Sequence, residues 1–268
     1  MGIINLVTNF SSEHWVIRPE NLEQMTAVLQ AKYDTGAITS VLNNIGDANI
    51  LTETSQPSIL GDTLFFPITG VLLPRASFIE SVCGFTGTNT IKAQLIDIVN
   101  SNRGKIDRVI FHIDSPGGAV TGVPELAKVI KELGESIETV AFSDTIMTSG
   151  AQWIAAACNT TVTTPSAIVG SVGVYREIVK IVDDKMQVKI IKAGGNKAFG
   201  HPYLELSDEE IKAAQDSVNT IYDQFTQSVA DYRGMTQQEV KNTEAKAAPA
   251  RDFSVFVDKQ VTTINELF

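Results

Sequence analysis

At 268 residues the chain is long enough for one α/β domain with appendages or for two small domains, and it can bury a sizeable core. Hydrophobic residues make up 43% and charged residues 19%, which excludes wholesale disorder. Acidic side chains outnumber basic ones 31 to 21, a formal charge of −10, so nucleic acid and anionic membranes are not expected as partners.

The opening MGIINLVTNFSSEHW has no basic stretch leading into a long apolar one, so no signal peptide is expected. Leu6 stands where N-myristoylation needs Ser or Thr. No apolar run approaches the roughly 18–20 residues that span a bilayer, and a cytoplasmic location is expected. The first 60 residues are polar. Their strongest element is a helix over 19–34, with Pro19 at its first position and Leu22, Met25, Val28 and Leu29 at helical spacing. Residues 35–61, rich in Gly, Asn, Thr and Ser, read as loop.

From residue 62 the pattern becomes βαβα. A strand is predicted over 63–67, a helix over 90–101, and a buried parallel strand over 108–113, where RVIFHI is almost continuously apolar. DSPGG at 114–118 reads as a turn, followed by a helix over 120–133 and a strand over 137–142. An Ala-rich helix is predicted over 147–157, then strands over 160–163, 168–174 and 187–192. A long helix follows over 208–232, opened by a Ser207–Glu210 capping box. Its stripe is Ile211, Ala214, Val218, Ile221, Phe225 and Val229. The tail reads as a loosely attached extension with one strand over 253–257. The alternation points to an α/β layered fold with right-handed crossovers.

Three segments contain residues suited to chemistry. In DSPGG, two glycines follow a strand. They can make a tight βα turn, cradle a phosphate, or present an N–H to an oxyanion. The absence of a following G-K-S/T excludes a P-loop. In TIMTSGAQWIAAA at 145–157, Ser149 opens the small-residue helix. It reads as an N-cap, or as a nucleophile whose next backbone N–H, on Gly150, faces the substrate oxygen. No G-x-S-x-G is present, so an α/β-hydrolase is not indicated. In IIKAGGNKAFGHPY at 190–203, Lys192 and Lys197 lie in a Gly-rich loop. Each is a solvated charge or, with a lowered pKa beside a serine, a general base.

Other side chains offer less. His14 lies in the polar N-terminal segment, His112 reads as a satisfied core residue of its strand, and His201 as a local loop contact, so no Ser-His-Asp triad is expected. With no H-x-x-x-H pair, and with Cys83 and Cys158 far apart, neither a metal site nor a disulfide framework is expected, and no cofactor is implied. Ser171 reads as a turn or strand-end residue.

The order of these segments carries more than any one of them. DSPGG, then TSGAQWIAAACNTTVTTPSAIVGSVGV, then KAGGNKAFGHPYLELSDEE leading a long helix, resembles the SppA-type signal peptide peptidase family. GHPYLELSDEE and YRGMTQQEV resemble its phage branch, the prohead (capsid assembly) proteases. The resemblance covers about residues 62–245. It implies a ClpP/crotonase-like fold, a twisted and mainly parallel sheet flanked by helices. The implied domain spans 62–245, between an N-terminal extension over 1–61 and a C-terminal one over 246–268. It also implies a Ser-Lys dyad of Ser149 and Lys197, an oxyanion hole from the N–H groups of Gly118 and Gly150, and supporting roles for Gly117 and Ser171. The implied substrates are scaffold or capsid proteins, in host cytoplasm or prohead. The implied assembly is a homo-oligomer in which serine and lysine meet across protomers. Alternatives are an SppA-like peptidase degrading signal peptides, acyl-CoA chemistry on a crotonase fold, and an inert scaffold or interaction protein.

Overall fold

The computed structural model describes residues 14–17, 56–76, 81, 84–178, 180 and 189–268. The helix expected over 19–34, most of the loop over 35–61, and Cys83 lie outside the described residues.

The largest sheet is built around β6 (Arg108–Asp114). Val109, Ile110, Phe111 and Ile113 are buried on both of its faces, which is what a central parallel strand requires. It pairs in parallel with β3 (Thr63–Thr69) on one side and β8 (Glu138–Ser143) on the other. The sheet extends through β10 (Thr160–Thr163) to the short β13 (Lys259–Gln260), both parallel, and ends opposite in the antiparallel β2 (Ser58–Leu60). α1 (Thr88–Ser101) and α2 (Val123–Leu133) place Ile91, Leu95, Leu126 and Ile130 in the main core, with Phe66 and Phe111 of the sheet.

Two smaller sheets carry the rest. One runs β1 (Trp15–Ile17), β7 (Gly117–Ala119), β4 (Val71–Leu73), β5 (Phe85–Gly87). The other runs β12 (Ala247–Pro249), β11 (Ile168–Gly170), β9 (Ile146–Thr148). Most pairs are parallel, so the expected layered α/β architecture is present.

Several boundaries differ from expectation, for identifiable reasons. The Ala-rich helix, α3 (Gly150–Ala156), starts later because Ile146–Thr148 is claimed by pairing with β11. The two glycines of DSPGG begin a strand rather than only a turn, because Gly118 sits opposite Leu72 of β4. The strand expected over 168–174 stops at Gly170. Of the strand expected over 187–192, residues 187–188 lie outside the described residues; 189–192 pair with no strand, and Ile191 is 91% exposed.

The tail is not loose, and 253–257 forms no strand. Phe256 and Ala250 are fully buried, while Val261 joins Ile110, Val140, Phe142 and Val162 on the second face of the large sheet. Asp258 accepts from the backbone N–H of Thr161 at 2.7 Å and pairs with Arg233.

α4 (Asp208–Arg233) begins with the expected capping box, Ser207 Oγ accepting from the Glu210 N–H at 3.2 Å. Only the far part of its stripe is buried, at Phe225, Thr226, Val229 and Ala230, whereas Ile211 is half exposed. Phe225 anchors it by stacking on Trp153 of α3, with ring centroids 4.3 Å apart and planes within 6°. α5 (Gln237–Lys241) follows after a second capping box, Thr236 with Glu239.

Two expectations follow from this packing. Phe225→Ala should cost about 3–5 kcal/mol in denaturant unfolding, since it leaves a cavity against Trp153. Burial pushes the Cys158 thiol up to about 12. Native Cys158 should therefore resist a maleimide at neutral pH until the protein unfolds. Because the folded state holds this proton more tightly, its contribution to stability should be complete below pH 9.0 and disappear as the pH rises toward about 12.

Candidate active site

The site is assembled where β6, β9 and β11 end. Leaving β6, the chain passes Ser115 and Pro116, and Gly117, at φ +98°, turns it into β7. This turn is tied down on all sides. Ser115 Oγ donates to Gly70 O at 2.6 Å, Ser115 N–H to Ile146 O at 2.8 Å, and Thr148 N–H to Ser115 O at 3.2 Å. Thr148 Oγ1 also donates to Pro116 O at 3.2 Å, and Thr145 Oγ1 to Asp114 Oδ1 at 2.7 Å.

Ser149 occupies the single-residue turn between β9 and α3. Its backbone lies at φ 57°, ψ −118°, a region that L-residues other than glycine rarely enter. The residue is 1% exposed. It stands at the N-cap position, yet its side chain makes no cap hydrogen bond. The N-cap reading of this serine is therefore not what the geometry uses; among the described residues the hydroxyl has no hydrogen-bond partner. A strained strand–serine–helix turn is the arrangement by which nucleophile elbows expose an Oγ, here without the G-x-S-x-G sequence. The Ser149 N–H donates to Gly170 O at 2.7 Å, which fixes the turn against β11.

The four glycine and serine positions of the two motifs meet. A Cβ placed on Gly117 would lie 3.1 Å from Ser149 Cβ and 2.8 Å from the Gly150 nitrogen. A Cβ on Gly118 would lie 1.9 Å from Leu72 O. Neither position has room for a side chain. Ser171 lies one residue beyond Gly170, at φ 57°, and its N–H donates to Lys246 O at 2.8 Å. Lys197 is not brought to this cluster. It lies exposed in a 3₁₀ turn, Gly195–Ala198, whose neighbouring Lys192 Nζ donates to Gly195 O at 2.9 Å.

The histidines are occupied elsewhere. His112, half-buried rather than in the core, has Nε2 2.9 Å from Asp144 Oδ1 and its ring between Phe65 and Phe142. His14 Nε2 meets Ser217 Oγ at 2.9 Å, and His201 Nδ1 accepts from the Tyr203 N–H at 3.4 Å. Among the described residues no cluster of three or more His, Cys, Asp or Glu is arranged to hold a metal, and no helix is long and apolar enough to cross a membrane.

Sequence reasoning passed over Gln152. It is fully buried on α3, accepts from the Gly170 N–H at 3.1 Å, and leaves Nε2 without a partner among the described residues. It also passed over β1, whose Val16 Cγ2 would lie 2.9 Å from a Cβ on Gly150. A buried amide one turn after the candidate serine was a visible signal for the first. The second depends on pairing across a hundred residues and had none.

Gly118→Ala should destabilise the fold by about 3 kcal/mol or more, because backbone atoms of Leu72 must shift to admit the methyl group. Ser171→Ala, which touches no such contact, should leave the melting temperature nearly unchanged in the same thermal scans.

Residues 131–252 match the model of Peptidase family S49. The chain is 26% identical over 204 residues to the capsid assembly protease C of Escherichia phage lambda, covering 75% of this chain and 46% of that protein. It is 28% identical over 183 residues to the head-tail preconnector protein GP5 of Enterobacteria phage P21, covering 67% of this chain and 36% of that protein. It thus spans less than half the length of either relative. The mainly parallel sheets and flanking helices agree with the ClpP-like fold of this family. Over residues 131–252 the chain is thus similar to Peptidase family S49, and over a longer stretch to these two phage head proteins.

Proposed function

We propose that the chain is a serine endopeptidase that cuts scaffold or capsid proteins through a Ser149–Lys197 dyad. The observation that carries the reading is Ser149 itself: a strained, buried serine, its hydroxyl not used as a cap, set against two glycines that admit no side chain. Strain of this kind costs about 1–3 kcal/mol and persists where the surroundings hold it.

In this mechanism the Lys197 amine takes the Ser149 hydroxyl proton as Oγ bonds to the scissile carbonyl carbon. The Gly118 and Gly150 N–H groups receive the negative oxygen. As the tetrahedral species collapses, the lysine returns the proton to the leaving amine, and an acyl-Ser149 ester remains. Water, deprotonated by the same lysine, then releases the acid product. Gly117 shapes the turn and Ser171 orients the lysine. Protonated lysine is not a base, so the amine must be desolvated when the site closes. Exposure of Lys197 in the single chain fits a site completed by a second copy, with serine and lysine supplied across the interface of a homo-oligomer. The capsid substrate is inferred from the relative named a capsid assembly protease; digestion of signal peptides is the second reading.

Purified wild type, Ser149→Ala and Lys197→Ala should be incubated with a candidate scaffold protein and the products read by intact mass. Wild type should cut, and each variant should lose at least about a thousandfold in rate. Mixing the two inactive variants should restore part of the activity if the dyad is shared between protomers. No recovery would place both residues of the working dyad in one chain, and cleavage unchanged in both variants would overturn the assignment.

A further inference from the structure

The cleft beside Ser149 already holds a peptide, and it belongs to this chain. Trp15–Ile17 lies antiparallel to β7, with Trp15 opposite Ala119, Val16 opposite Gly118 and Ile17 opposite Gly117. Its other edge is bonded as well: the Trp15 N–H donates to Tyr175 O at 2.9 Å and the Tyr175 N–H to Trp15 O at 3.0 Å. An extended segment held through its main chain between two strands is the way β-augmentation holds a peptide ligand.

The register specifies more than occupancy. Trp15 spends its N–H and C=O on Tyr175, so those of the flanking residues face β7; the Val120 N–H accordingly donates to His14 O at 2.9 Å. By the same alternation the Val16 carbonyl is turned toward Gly118. A Cβ on Gly117 would lie 2.0 Å from Val16 O, and one on Gly150 3.4 Å from it. The Val16 oxygen therefore faces Gly118 and lies near Gly150, the two glycines proposed as the oxyanion donors. The Val16 side chain is buried in the main core, while Trp15 and Ile17 point to the opposite side, into a cluster with Val71, Leu73 and Phe85.

We propose that Trp15–Ile17 is a built-in occupant of the peptide cleft, seated as a substrate would be with the Val16 carbonyl at the oxyanion position, and that it must leave before another peptide can be cut. This rests on the serine peptidase reading for the identity of the cleft. It also names the substrate class: an extended peptide with a small, branched apolar residue at the carbonyl to be attacked, flanked by large apolar residues. Val16 fits because its Cγ2 packs over Gly150, where an added Cβ would lie only 2.9 Å from it.

The test compares full-length wild type with Val16→Asp, which sets a carboxylate where no partner awaits it, and with Trp15→Ala, which weakens the same strand outside the main core. Two readouts are taken. Hydrogen exchange at residues 117–120 reports whether β1 is docked, independently of any chemistry. The rate at which a fluorophosphonate acylates Ser149 reports access to the serine. Both variants, folded by thermal melt, should lose protection at 118 and 120 and should label at least tenfold faster than wild type. Added acetyl-His-Trp-Val-Ile-Arg-amide should slow their labelling again. Unchanged protection in the folded variants, or labelling equally fast in all three proteins, overturns the proposal. Lost protection with no labelling in any form keeps β1 as the occupant of this cleft and overturns the serine reading instead. Should Val16→Asp fail to fold, Trp15→Ala decides alone.

Discussion

The centre of this molecule depends on two residues having no side chain. Gly117 and Gly118 lie where three elements come within main-chain contact: β1 on one edge, β4 on the other, and the Ser149 turn across the end. A methyl group at either position would fall about 2 Å from a carbonyl oxygen. Because these strands can close to that distance, the start of α3 is pressed against the β7 edge, where a Cβ on Gly117 would lie 2.8 Å from the Gly150 nitrogen. The strain at Ser149 is tolerated because its own N–H is held by Gly170, and Gly170 in turn by Gln152. The placement of these glycines and of Ser149 follows from main-chain packing, so its precision is that of the sheet rather than of any flexible side chain.

Much of the scaffold was legible from the residues. β6 could be read because Val109, Ile110, Phe111 and Ile113 make it apolar on both faces, and α1, α2 and α4 because their apolar residues recur at helical spacing. The capping box at Ser207 was legible because two side chains three apart serve each other's backbone. The elements that make the site were not. β4, β5, β7, β9, β11 and β12 have three residues each, too few to display any period, and they exist only because partners distant in sequence stand beside them. The residues of β9 accordingly read as the start of the Ala-rich helix, and the glycines of β7 as a turn.

The candidate residues divide along the same line. Ser149, Gly150, Gly117 and Gly118 are held by main-chain contacts with β1, β4 and β11 and arrive together in a single chain. Lys197 belongs to an exposed 3₁₀ turn, and among the described residues just before it, 189–194, there is no strand to commit it to the serine. The α4 stripe shows the same limit. Its spacing is regular from Ile211 to Val229, but periodicity tells which face is apolar and not how far along the helix the core reaches.

The Lys246 carbonyl that receives the Ser171 N–H, and the β12 strand that follows it, come from a part of the chain made long after Ser149. Contacts of such sequence separation close late in folding. On the ribosome, the serine turn can form once β9 and β11 have emerged, but the outer edge of β11 stays bare until residues 247–249 arrive. The neighbourhood of Ser171 is therefore completed only after the whole of α4 has been made. Until β12 is in place, the turn that carries Ser149 is backed by a β11 paired on one edge alone.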